Sequence, residues 1–115
     1  MEISVKSVQE VRVVELAGEL TSKSAPDAQR RILEEAQAGG RMILDMSRVS
    51  FITSAGYRVL LVVYRAVTGK GGRAVLVGLT EDIKDTLRII GFLDFFTHHD
   101  TLEAGVADLN SRGAS

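Results

Sequence analysis

Between two apolar stretches the chain carries Thr53, Ser54, Ala55 and Gly56, within the segment SFITSAGYRVLLVVYRA at 50–66. A hydroxyl in such a place has three uses. It attacks a substrate when a base activates it, it receives a phosphoryl group, or it caps a helix whose first amides lack partners. Three other groupings have the composition of a site: His98-His99-Asp100, Gly69-Lys70-Gly71-Gly72-Arg73, and Asp45 after an apolar run.

Spacing argues against most of this chemistry. The nucleophile elbow of serine hydrolases needs glycine two residues before the serine, where this chain has Ile52. His98 and His99 sit next to Asp100, but adjacent strand residues face opposite ways and no second ligand cluster accompanies them, so a solvated loop is expected and no metal. The glycine-lysine run lacks the Gly-x-x-x-x-Gly-Lys-Ser/Thr order and precedes a strand, so it reads as a turn with Lys70 and Arg73 in solvent. Asp45 as a phosphoacceptor would need companion acids after the first strand to hold Mg²⁺, and SVKSVQE supplies none, so Asp45 is expected to cap or anchor the following loop. The expectation is a protein with no catalytic residue and no cofactor.

The elements that position the Thr53–Gly56 knot follow from patterning. The chain has 115 residues, 45% hydrophobic and 25% charged, which suits one soluble domain. A net charge of −1 gives no field for nucleic acid, and the absence of cysteine excludes disulfides and thiolate sites. Neither a secretory signal nor a membrane span is apparent, so a cytoplasmic location is expected. Residues 2–8 and 11–17 read as antiparallel strands around Gln9-Glu10. Ser24, Pro26 and Asp27 open a helix that Gly39-Gly40 closes, and RMILDM follows as a buried strand. After the knot and its helix come the strand RAVLVGL, a helix begun at Thr80 with Ile83, Leu87 and Ile90 inward, and a short edge strand in FLDFFTHH. A last helix starts at Asp100 or Thr101, with Leu102, Val106 and Leu109 inward. Domain 1–110 is followed by a loose tail, 111–115. The order predicts an α/β fold whose sheet has four to five strands, mixed with a mostly parallel core, and about four helices packed on it.

In such a fold the knot crosses the carboxyl edge of the sheet, where α/β folds place their sites. Thr53 or Ser54 is the expected N-cap, and Ala55 with Gly56 leaves the first turn bare to an approaching molecule. The helix start attracts anions, so a phosphate on Ser54 sits in a favourable field. Ser54, Arg58, Leu61, Arg65 and Thr68 share one side of the helix, while Val59, Val62, Val63, Ala66 and Val67 share the side that packs. Arg58, one turn beyond Ser54, is placed to meet a phosphate or a partner carboxylate.

Taken together, ILDMSRVSFITSAGYRVLL at 43–61, VELAGEL at 14–20 and VLVGLTEDIKDTLRIIGFLDFF at 75–96 resemble the motifs of STAS domains, the family of bacterial anti-sigma factor antagonists. The likeness runs in order over residues 3 to 110. It implies an antagonist that binds an ATP-dependent serine kinase doubling as an anti-sigma factor, is released when that kinase phosphorylates it, and is restored by a serine phosphatase. The phosphorylated position aligns with Ser54, with Thr53 as a secondary candidate. The implied docking face is Thr53, Ser54, Ala55, Gly56, Tyr57, Arg58, Leu61 and Arg65, with Gly18, Glu19, Leu20 and Thr21 beside it. Two positions depart from the pattern, because Thr53 and Thr21 stand where many members carry Asp. That departure keeps a second family role in view, an accessory subunit that binds an ATPase, for example of an ABC lipid transporter, without a phosphorylation cycle. Either role implies no membrane insertion, no direct contact with nucleic acid, and a monomer or weak dimer.

Overall fold

The computed structural model describes residues 1–113. Strand β1 (Glu2–Val8) turns into β2 (Val11–Leu20), followed by α1 (Ala25–Glu34), β3 (Arg41–Ile52), α2 (Ser54–Gly69), β4 (Arg73–Val77), α3 (Glu81–Ile89), a 3₁₀ turn (Leu93–Phe95), β5 (Thr97–His99) and α4 (Leu102–Gly113). The strands lie in the order β1-β2-β3-β4-β5, with β1 antiparallel to β2 and the other pairs parallel. Five mixed strands and four helices match the expected class. Gln9 and Glu10 make the hairpin turn with φ of 50° and 69°, the left-handed pair whose twist suits a two-residue connection.

Strand alternation sorts the core into two layers. Val11, Val13, Ile43, Val75 and Val77 face α4 and meet Val106 and Leu109. Val14, Leu16, Met42, Leu44, Met46 and Leu76 face the other way, under α1, α2 and α3. Both faces of the central strands are covered, which is why Met42–Leu44 and Val75–Val77 read as unbroken apolar runs.

Several boundaries differ from the sequence expectations. Helix α1 stops at Glu34, its last amides tightening onto Ile32 O and Leu33 O, so Gly39-Gly40 lies beyond it. Those glycines serve a turn-to-turn contact: Gly39 N donates to Lys70 O at 2.8 Å and Arg73 N to Gly40 O at 2.9 Å. Ser24 does not cap α1 with its side chain. Its hydroxyl instead donates to Glu19 O and accepts from Thr21 N, both at 2.9 Å, bracing the β2–α1 loop. Strand β3 runs well past RMILDM, so Asp45 stands inside it. There Asp45 Oδ1 accepts from Ser47 N at 3.0 Å and Ser47 Oγ at 2.7 Å, near a register shift opposite Glu15 and Ala17. Helix α4 continues through Gly113, past the expected domain end at 110. Of the expected tail, residues 114–115 lie outside the described residues. Thr80 does cap α3, accepting from Ile83 N at 3.3 Å, and Thr101 rather than Asp100 caps α4 through Ala104 N at 3.1 Å. Among the described residues no helix is long and apolar enough to cross a membrane.

Candidate functional site: the start of helix α2

The ends of β2 and β3 carry α2 to the carboxyl edge of the sheet. Thr53 N donates to Leu20 O at 3.0 Å, tying the helix start to the end of β2, and Tyr57 N donates to Thr53 O at 3.1 Å as the first turn closes. Thr53 is the N-cap residue, in extended conformation, but its side chain makes no cap hydrogen bond. Its Oγ1 is buried without a partner among the described residues. Such a hydroxyl carries a desolvation cost that nothing returns, typically about 1–3 kcal/mol. Thr53→Val keeps the shape and removes the orphan, and β-branched residues suit the extended backbone. The expected result is a gain of about 1 kcal/mol in urea unfolding.

Ser54 is the first residue of α2 and is exposed. The amides around it have no intrahelical acceptor, and the first turn contains no acidic side chain. One turn on, Arg58 is exposed, and two further turns on so is Arg65. Neither has an ion pair among the described residues, whereas Arg12, Arg41, Arg73 and Arg88 each have one and Arg30 has two. The helix start is therefore a hydroxyl in a positive field with an unneutralised guanidinium next to it.

Not every expected docking residue is on the surface. Leu20, Gly56 and Tyr57 are buried, and Thr53, Ala55 and Leu61 are half-buried. Of the β2 end, only Glu19 is exposed; Gly18 and Thr21 are partly covered. Gly56 does not bare the helix for a visitor. A Cβ there would stand 2.5 Å from Ile52 Cγ1, 2.7 Å from Leu20 O and 2.9 Å from Leu20 Cγ, so the missing side chain lets α2 seat on β2 and β3.

The second wall of the site is not apparent from the sequence patterning. An open cleft of about 490 Å³ lies between α2 and α3, lined by Ile52, Ser54, Tyr57, Arg58, Leu61, Thr86, Ile90 and Phe92. Tyr57 crosses beneath it. Burial pushes its phenol above the ordinary value, partly offset by a hydrogen bond with Thr86. Ile90, expected in the core, is 44% exposed, and its neighbour Ile89 is 83% exposed. The signal available in the sequence was the density of RIIGFLDFF, which holds more large apolar residues than one side of a short helix can bury.

The remaining sequence candidates divide among structural roles. His99 Nε2 lies 2.9 Å from Asp108 Oδ2 on α4, while Asp100 reaches Lys84 of α3 at 3.5 Å. The histidine run is thus spread over separate partners. Arg73 is not simply solvated: its Nη2 lies 3.7 Å from Asp108 Oδ2. Lys70, exposed as expected, reaches Ala36 O at 3.3 Å.

A mixed sheet whose carboxyl edge carries the exposed start of α2 defines a small α/β domain with a surface site. The chain belongs to the STAS domain family, whose model matches residues 2–105. It is 28% identical over 108 residues, 93% of each chain, to a Bordetella bronchiseptica protein described as the anti-sigma factor antagonist BtrV. It is 27% identical over 104 residues to the anti-sigma-B factor antagonist of Bacillus subtilis, covering 90% of this chain and 95% of that one. The crystal structure of a Thermotoga maritima protein described as an anti-sigma factor antagonist superposes with a TM-score of 0.86 at 20% identity, covering 94% of each chain.

Proposed function

We propose that this chain is an anti-sigma factor antagonist. It binds an anti-sigma serine kinase while Ser54 is unmodified and is released when that kinase phosphorylates Ser54; a serine phosphatase resets it, and the cycle runs in the cytoplasm. The protein acts as a regulator and leaves the phosphoryl chemistry to its partners. The observation that carries this reading is the exposed, acid-free start of α2. A kinase can reach the Ser54 hydroxyl without unfolding the domain, and the STAS relatives named as antagonists lend the class of partner. Phosphorylation adds close to two negative charges at the point where a docked protein has excluded water. The domain itself tolerates them, since the helix dipole favours an anion there by about 0.3–1 kcal/mol. Release therefore follows from a changed surface on an intact fold.

Intact-mass measurement after incubation with ATP in an extract of the host tests the reading. Wild type is expected to gain one phosphate and Ser54→Ala none. Thr53 remains a poor acceptor in the variant because its Oγ1 is buried. No phosphate on either protein, in an extract whose kinases are active, would sink the switch and leave the accessory-subunit role implied by Thr21 and Thr53.

A further inference from the structure

We propose that the cleft between α2 and α3 is the anchor of this interface, receiving an apolar side chain of the partner protein whose neighbouring carboxylate meets Arg58. The inference rests on the reading of Ser54 above and adds the chemistry of what docks there.

Three observations carry it. The cleft is concave and mostly apolar, floored by Tyr57 and walled by Leu61, Ile90 and Phe92. Its apolar surface does not end at its rim. Ile89 is exposed beside it, and Tyr64, one turn along α2 from Leu61, packs against Phe95 with ring centroids 4.8 Å apart. Phe95 is itself 45% exposed. An apolar strip of this kind, rimmed by charge, is what a protein-binding site presents, and buried apolar anchors supply most of the affinity in such sites.

Charge then selects the partner. Arg58 lines the cleft and Arg65 stands two turns further along the same side of α2, both without an ion pair among the described residues. No acidic residue occupies the first turn. A basic or neutral anchor would leave these guanidiniums uncompensated as the interface dries, whereas a carboxylate forms a charge-assisted pair with Arg58.

Ser54 lines the same cleft as Arg58. A phosphate on Ser54 stands at the mouth of the apolar seat and one helical turn from Arg58. It places a hydrated dianion where the partner's apolar group must pass, and it competes with the partner's carboxylate for the guanidinium. One modification thus opposes both halves of the contact.

The test uses the full chain and the kinase purified from the host by its activity on Ser54. Affinity is measured by calorimetry for wild type, Ile90→Asp, Arg58→Glu, Ser54→Asp and, as a control on the exposed side of α4, Glu103→Lys. Circular dichroism melts confirm that each variant folds; Ile90 and Arg58 are both exposed enough for these changes to be tolerated. Ile90→Asp is expected to weaken binding about 30-fold or more, the loss typical of an anchor position, and Arg58→Glu about tenfold or more. Glu103→Lys stays within about twofold of wild type, as surface positions outside a contact do. If Ile90→Asp and Arg58→Glu bind like wild type while Ser54→Asp does not, the cleft is no anchor, although the Ser54 reading stands. If no kinase acts on Ser54, that reading falls and the anchor falls with it.

Discussion

Ser54→Asp is expected to fold as well as wild type and to bind the proposed kinase partner about 30- to 100-fold more weakly, on the scale of a charge forced into a drying interface beside the partner's carboxylate. Ser54→Ala is expected to bind like wild type and to resist release by ATP. The pair separates stability from recognition. Among the described residues the Ser54 hydroxyl makes no hydrogen bond, so its loss costs the fold no more than about 0.5 kcal/mol. An aspartate at the same place is favoured by the helix start, so the melting temperature of Ser54→Asp should hold or rise slightly. A variant that is as stable as wild type and yet fails to bind cannot owe that failure to unfolding. Calorimetric titration of the kinase with each variant, beside thermal melts of each alone, reads both quantities. Equal affinity of Ser54→Asp and wild type would refute the switch. Aspartate carries one charge where phosphoserine carries nearly two, so the phosphorylated protein is expected to bind more weakly still.

How much of this was legible in the sequence depended on whether a signal was local. Gln9-Glu10 between two Val- and Ile-rich runs, Thr80 before an amphipathic stretch, and the unbroken apolar strands at 42–44 and 75–77 each report a local preference, and the structure agrees with each. The position of Ser54 at the first turn of α2 was legible for the same reason, since a small polar residue between strand and helix marks the boundary. Local sequence misleads where a tertiary contact decides the outcome. Ser24 has the sequence of a cap, but Glu19 O and Thr21 N offered its hydroxyl closer partners. Gly39-Gly40 has the sequence of a helix stop, but the pair is fixed by contact with Lys70 and Arg73, some thirty residues on. The spacing of Ile83, Leu87 and Ile90 marks one side of a helix, yet α3 ends at Ile89, and Ile90 is left on the rim of a cleft whose other wall is α2. Periodicity says which residues share a side. It does not say how far the neighbouring helix reaches over them.

Gly56 shows how closely the site depends on packing that the sequence did not reveal. Gly56→Ala is expected to destabilise the domain by about 2–3 kcal/mol, in the range for atoms forced into a filled interior. The size follows from which atoms are in the way. Ile52 Cγ1, at 2.5 Å from the added Cβ, belongs to a side chain that can rotate, but Leu20 O at 2.7 Å is backbone. That same oxygen accepts the hydrogen bond from Thr53 N that holds the helix start to β2. Moving it aside strains the bond that positions Ser54. The double variant Ile52→Ala/Gly56→Ala, compared with Ile52→Ala alone, tests the reasoning, because it clears the Ile52 contact and leaves both Leu20 contacts in place. If the Leu20 contacts dominate, urea unfolding shows Gly56→Ala costing as much in the Ile52→Ala background as in wild type. If the Ile52 clash dominates, Gly56→Ala costs clearly less in the Ile52→Ala background than in wild type. In the first case the glycine is required by the strand end and the helix start together, so the seat of Ser54 is set by the fold before any partner arrives.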